Sequence, residues 1–407
     1  MEKKNNINSP QEVIFCKRCV HSNQKVVSSS LISDDASHSN RSRMGFVDGV
    51  CQGCLQVERK YNKNIDWKER EKKLYKILEK YRSRNGSFDC IVPGSGGKDS
   101  VFQAEILKKK YKMNPLTVTF SPHIYTESGM KNFHNWPLYG GLHNYLYTPS
   151  GDVHRKLTCL AFKNLLHPFQ PFIFGQRHFA SHMALLFNIP LIFMGESQSE
   201  AGSADERDEI MMPYKYWSKT DDQKILISGL ELKELESNHK ITKNDLQFYL
   251  PNDVNKLKEK DIQVLYLGEF ERFEPQENYY LATKVSKFIG NAERTQQTYT
   301  KFTSIDDKVD NFHFYTAYVK FGYGRCTEEA TREIRNGYIT RDEGVRLVHK
   351  FDHEFPDKYF NDFLEYIDIS EEEFYETLDK FRPDHLWENK GNDFKHCKNW
   401  KLKHLVK

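Results

Sequence analysis

The hydrophobic positions of this chain change period along its length, and those changes outline an architecture. Four short apolar runs, Phe88 to Val92, Leu116 to Phe120, Leu191 to Met194 and Ile262 to Leu267, read as buried strands. Helical periodicity falls near 98–111, 154–166 and 176–187. This alternation predicts an α/β fold with a doubly wound parallel sheet. Ligands of such sheets bind beyond the carboxyl ends of the strands, so the loops after Val92, Phe120 and Met194 are expected to share one crevice. Residues 61–84 are dense in Lys, Glu and Arg, with Trp67, Leu74, Ile77 and Leu78 at helical spacing. From about Phe288 onward the pattern is mostly helical. The expected organisation is an N-terminal module over 1–60, an α/β domain over 61–287 and a helical region over 288–407.

Two cysteine pairs mark the N-terminal module. Cys16-Lys-Arg-Cys19 and Cys51-Gln-Gly-Cys54 are CxxC knuckles, and each presents two thiolates to one ion. Four thiolates suit a closed, structural Zn²⁺ site, with Lys17 and Arg18 offsetting its negative charge. An iron–sulfur cluster and unliganded redox thiols are the alternatives. The Ser/Asp/Asn-rich stretch between the knuckles, Ser28 to Arg43, reads as a loop. Cys90 and Cys159 lie in apolar runs and read as small buried hydrophobes.

Composition narrows the class. The chain has 60 Lys+Arg against 57 Asp+Glu, so no strong basic footprint for nucleic acid exists. Mean hydropathy is −0.73, and no apolar run reaches the roughly 20 residues of a membrane span. The polar N-terminus lacks a signal core, so a cytoplasmic location is expected and no membrane partner.

The segment Cys90-Ile-Val-Pro-Gly-Ser-Gly-Gly-Lys-Asp-Ser100 carries the most chemistry. A strand, a turn of small residues and a helix start make an anion cradle, because first-turn N–H groups and the helix dipole face negative charge. The spacing matches neither the Walker lysine loop nor the dinucleotide GxGxxG. It resembles the SGGxDS signature of the PP-loop ATP pyrophosphatases. Further segments make the resemblance more specific. They are Thr148-Pro-Ser-Gly-Asp-Val-His-Arg155, His167-Pro-Phe-Gln-Pro-Phe172, Gly175-Gln176, Met194-Gly-Glu-Ser-Gln-Ser-Glu-Ala-Gly202, Val319-Lys-Phe-Gly-Tyr-Gly-Arg325 and Glu333-Ile-Arg-Asn-Gly-Tyr-Ile-Thr-Arg341. With the cysteine pairs ahead of them, the chain looks like the N-acetyl sugar amidotransferase family of bacterial surface-polysaccharide and flagellar-glycan pathways. It departs from that family at Ser197 and Ala201.

The resemblance implies conversion of a sugar acetamido group to an acetamidino group with ATP and ammonia. Legionaminic or pseudaminic acid, their nucleotide-linked precursors and a diacetamido uronic acid are the candidate sugars. Ammonia is expected from a separate glutaminase subunit, since the chain shows no glutaminase nucleophile of its own. Gly94, Ser95, Gly96, Gly97 and Ser100 are then expected to cradle pyrophosphate, and Lys98 to place charge on the phosphates. Asp99 is a candidate Mg²⁺ ligand, or a helix cap. Glu196 is a candidate for orienting ATP-Mg²⁺ or ammonia, or a cap. His154, Arg155 and Arg325 are candidate substrate contacts; a surface helix start and a structural ion pair are the bland readings. His167 and Gln170 read as rigid-turn residues. The alternative function is a PP-loop tRNA-thiolating enzyme with structural zinc. A zinc scaffold that has lost catalysis is a third reading.

Overall fold

The computed structural model describes residues 10–25, 43–62, 66–195, 211–214, 217–219, 225–391 and 399–407. Most of the expected loop from Ser28 to Arg43 lies outside them. So do Cys397 and residues 196–202, with Glu196, Ser197 and Ala201.

A tight ribbon, β1 (Phe46–Val47) and β2 (Val50–Cys51), leads into α1 (Gln52–Asn62) and then α2 (Trp67–Tyr81). Asp66 starts α2 by accepting from the N–H groups of Lys68 and Glu69. The central elements follow in alternation. They are β3 (Cys90–Pro93), α3 (Lys98–Glu105), β4 (Pro115–Phe120), α4 (Glu127–Gly140), β5 (His143–Tyr147), α5 (Gly151–Leu165), α6 (Gln170–Phe187) and β6 (Leu191–Met194). A small ribbon, β7 (Leu226–Ile227) and β8 (Leu230–Glu231), precedes α7 (Leu232–His239), α8 (Val254–Glu259), β9 (Gln263–Tyr266) and α9 (Pro275–Ser286).

Five strands form one parallel sheet in the order β5-β4-β3-β6-β9. The order reverses beside β3, which places the crevice at the carboxyl ends of β3, β4 and β6. Alternate residues face opposite layers. Cys90, Val92, Leu191, Phe193 and Leu265 pack with Leu74 of α2, Val101 of α3, Trp136 of α4 and Ala282 of α9. Ile91, Leu116, Val118, Phe120, Ile192 and Val264 pack with Leu157 and Phe162 of α5 and Phe172 and Phe179 of α6.

Five more helices follow: α10 (Asp310–Phe321), α11 (Arg325–Arg335), α12 (Arg341–Phe351), α13 (Phe360–Ile367) and α14 (Glu371–Lys380). The ribbon β10 (Trp387–Asn389) and β11 (Trp400–Leu402) closes the described chain. Phe312, Phe363 and Phe374 belong to the same core as the second sheet face, so that core runs through the expected boundary at 287/288. Among the described residues no helix is long and apolar enough to cross a membrane.

Candidate active site

The turn after β3 is built for close approach. Gly94 N–H donates to Val118 O at 3.0 Å, and Thr119 Oγ1 donates to Gly94 O at 2.7 Å, which ties the turn to β4. Gly96 sits at φ +81, and a Cβ there would lie 2.6 Å from Asn132 O. Only glycine fits. Ser100 Oγ donates back to Gly97 O at 2.9 Å, and α3 starts at Lys98. No backbone carbonyl among the described residues accepts from the N–H groups of Ser95, Gly96 or Gly97. The turn therefore offers its amides beside a helix N-terminus, an arrangement that holds anions.

Lys98 is buried, and its Nζ donates to Asp99 Oδ2 at 2.6 Å. Asn278 of α9, fully buried, donates to Asp99 Oδ1 at 2.8 Å. Partial burial pushes the Asp99 carboxyl up, but the Lys98 ammonium and the Asn278 amide outweigh it and hold it below its ordinary value. Asp99 is thus ionised, and its oxygens meet side chains rather than the first-turn amides that a cap would engage. Sequence gave no hint of Asn278, which arrives from 179 residues away.

A second wall comes from the segment before α10. Burial raises the Asp306 carboxyl above its ordinary value, the nearby Ser95 hydroxyl moderates the rise and the adjacent Asp307 charge adds to it. Asp307 accepts from His123 Nδ1 at 2.6 Å and from the backbone N–H groups of His123, Ile124 and Val309 at 2.8, 3.3 and 2.9 Å. His123 lies in the loop after β4, where the sheet topology places ligands, and that rule was the one signal available for it. His154 of α5 stacks on His123 at 4.5 Å between ring centroids. Its Nδ1 lies 2.8 Å from the Tyr249 hydroxyl, and burial keeps its ring neutral, well below the ordinary histidine value.

The sequence candidates for substrate contact separate in space. His154 is buried in this wall. Arg155 points outward, bonded to Asp152 at 3.0 Å, and lines an open surface pocket of about 780 Å³ with Lys156, Cys159 and Tyr366. Arg325 is corrected to a structural residue. It is fully buried and donates to Glu329 Oε1 at 3.1 Å, Asn311 Oδ1 at 2.9 Å, Ser304 O at 3.1 Å and Thr303 O. Its planar fork, fully buried, ties Thr303, Ser304 and Asn311 to Glu329 of α11. Gln170 clamps the β7–β8 turn, donating to Leu226 O and accepting from Ser228 N–H, in keeping with a turn residue.

The four knuckle cysteines meet at the far end of α11. Their sulfurs lie within 4.8 Å of one another and all four residues are buried. Sulfurs bound at about 2.3 Å around one tetrahedral ion are about 3.8 Å apart. Cys19–Cys51 at 3.6 Å and Cys16–Cys54 at 4.0 Å bracket that edge. The donor set fits a single ion, not the wider core of a multi-iron cluster. Arg18 pairs with Glu58 at 2.6 Å while still feeling the Cys16 and Cys54 charges. Arg335, at the end of α11, comes closer, with its guanidinium 3.5 Å from Cys51 Sγ. Lys25 and His21 then reach Glu328 on the same helix at 2.6 and 3.3 Å.

Comparison with known proteins follows this geometry. Residues 296–403 match a family described as "LPS biosynthesis protein WbpG-like, C-terminal domain". An uncharacterized protein of Methanocaldococcus jannaschii is 34% identical over 83 residues, which is 20% of this chain, and the chain spans 29% of that relative's length. The NAD+ synthetase of Burkholderia pseudomallei overlays 58% of this chain and 97% of its own, at 12% identity and a TM-score of 0.24. A likeness that slight says nothing of ligands.

Proposed function

We propose that the chain is an ATP-dependent ligase that turns a sugar acetamido group into an acetamidino group. The observation that carries this reading is the turn at Ser95–Gly97, with its amides unclaimed by backbone carbonyls and ionised Asp99 beside it. The WbpG-like match over 296–403 supports a glycan substrate. An amide carbonyl is a poor electrophile, and its oxygen must be made a leaving group. The acetamido oxygen attacks the α-phosphorus, pyrophosphate leaves, and a cationic O-adenylyl imidate forms. Ammonia adds to the imidate carbon, one proton departs from nitrogen, and AMP leaves with the C–O electron pair to give the amidinium.

The cradle residues Gly94, Ser95, Gly96, Gly97 and Ser100 hold the departing pyrophosphate in this reading, and Lys98 sets positive charge beside it. Asp99 holds Mg²⁺, which supplies charge neutralisation of the phosphates. The four cysteines hold one structural Zn²⁺, and a separate glutaminase delivers ammonia. The test is incubation of pseudaminic and legionaminic acids, free and CMP-linked, and a UDP-linked diacetamido uronic acid with enzyme, ATP and ammonium chloride. Mass spectrometry should show a loss of about one mass unit, the exchange of =O for =NH, with one AMP per product. Pyrophosphate release stimulated by tRNA and by no sugar would favour the thiolation reading instead.

A further inference from the structure

The His123–Asp307 pair joins a buried carboxylate contact to an unpartnered ring nitrogen in the loop after β4, where the sheet topology places ligands. The His123 side chain is fully buried and Asp307 is 2% exposed. Nδ1 is engaged by Asp307, and Nε2 is buried with no hydrogen-bond partner. The stacked His154 repeats the pattern. Its Nδ1 is engaged by Tyr249 and its Nε2 is buried and unpartnered. Two imidazoles thus leave the same edge nitrogen unfilled, on a wall that begins at the phosphate-loop residue Ser95.

The connection to that loop is short. The Ser95 hydroxyl lies near enough to Asp306 to temper the rise of its carboxyl, and the next residue, Asp307, holds His123. The groups around the His123 ring are known from each packed element. Asp307 approaches from the 303–309 segment, His154 from α5, His313 from α10 and Tyr366 from α13, while Phe169 and Phe172 supply the α6 side. Among the described residues, the anion paired with the ring is Asp307. It fixes the tautomer and stabilises an imidazolium once formed, as a carboxylate does for a histidine base. The aromatic surround excludes water, which would otherwise hydrolyse the imidate.

We propose that His123 is the catalytic base of the aminolysis step, with Asp307 as its positioning residue. This assignment rests on the amidotransferase reading. As the ammonia nitrogen bonds to the imidate carbon, His123 Nε2 takes one of its protons. The C–O bond to AMP then breaks with its electron pair, and the imidazolium returns its proton to solvent after AMP departs. The first half-reaction, adenylation, needs no such base, because the amide oxygen attacks with a lone pair.

The two half-reactions make the test. With whichever sugar of the panel supports it, sugar-dependent ATP–pyrophosphate exchange without ammonia reports adenylation, and amidine formed at pH 8 with ammonium chloride reports the whole. In full-length His123→Gln, exchange should stay within about threefold of wild type while amidination falls by roughly 10²–10³, the usual worth of a general base. Asp307→Asn should split the two in the same direction. Equal losses in both assays, or amidination within threefold of wild type, would overturn the assignment. If either variant loses its thermal transition, the wild-type enzyme decides. At constant free NH₃ its aminolysis rate should fall as one group is protonated at low pH, and a flat profile would overturn the base. Absence of sugar-dependent exchange in wild type with every sugar tested would instead overturn the amidotransferase reading, and this assignment with it.

Discussion

At the scale of single residues, two adjacent glycines do different work. A side chain at Gly96 strikes the α4 backbone, whereas a Cβ at Gly97 meets only Ser95 Oγ, at 3.8 Å. Gly96→Ala is therefore expected to lower stability by roughly 1–3 kcal/mol. Gly97→Ala should unfold at the wild-type temperature but raise KM for ATP roughly tenfold, about the worth of one hydrogen bond. An unchanged KM in folded Gly97→Ala would move the phosphates elsewhere. Asp310 offers a pH signature. Burial pushes its carboxyl up to about 8, with Arg325 opposing and Asp306 and Asp307 adding to the rise. A carboxyl raised in the folded state favours folding below its unfolded value, near 3.8, and loses that contribution as pH climbs towards 8. Asp310→Asn removes the ionisation, so its gain in Tm over wild type should be larger at pH 8.5 than at pH 4.5. A gain independent of pH would contradict that ionisation.

At the scale of elements, what sequence showed depended on how a segment earns its burial. β3, β4, β6 and β9 are apolar runs buried on both faces, and they were legible within about two residues. β5, His143-Asn-Tyr-Leu-Tyr147, is the sheet edge and half exposed, so it has no apolar run to read. α4 carries Gly129 and Pro137 inside it, which masked its period. The phosphate turn was legible because it is local. Its partners Asn278, Asp306 and Asp307 were not, because tertiary packing alone brings them to it. α11 is the element that joins the two centres, with Arg335 over the thiols at one end and Glu333 close enough to feel the Lys98 charge. One zinc per chain is expected. Cys51→Ser should lower zinc content and raise hydrogen exchange in α11 as well as in the knuckles. Exchange confined to residues 10–62 would show that the helix does not depend on the metal.

At the scale of the whole molecule, the sheet, its crevice and the helical C-terminal region share one interior, so the chain should act on ammonia without a second polypeptide. In the amidotransferase reading, glutamine hydrolysis, which needs an activated nucleophile, belongs to a separate glutaminase. The isolated chain is expected to use ammonium salts and not glutamine, with activity rising with pH as NH₄⁺ yields NH₃. Efficient use of glutamine by a preparation proven free of glutaminase would contradict this.

The contact of Arg335 with the knuckles also sets an order of events during synthesis. The thiols of Cys16 to Cys54 leave the ribosome first, and the guanidinium that meets them is added about 280 residues later. At bacterial or eukaryotic elongation rates that interval is roughly 15–60 s. Throughout it four close thiolates stand without their buried cation, and Lys25 and His21 stand without Glu328. A nascent chain in that window holds its knuckles by links inside the module, among them Lys17 N–H to Gly49 O at 2.9 Å and Arg18 to Glu58 at 2.6 Å, and by whatever ion the thiols bind. The supply of zinc at the moment of translation, more than its supply to the finished enzyme, should then govern how much active protein a cell obtains.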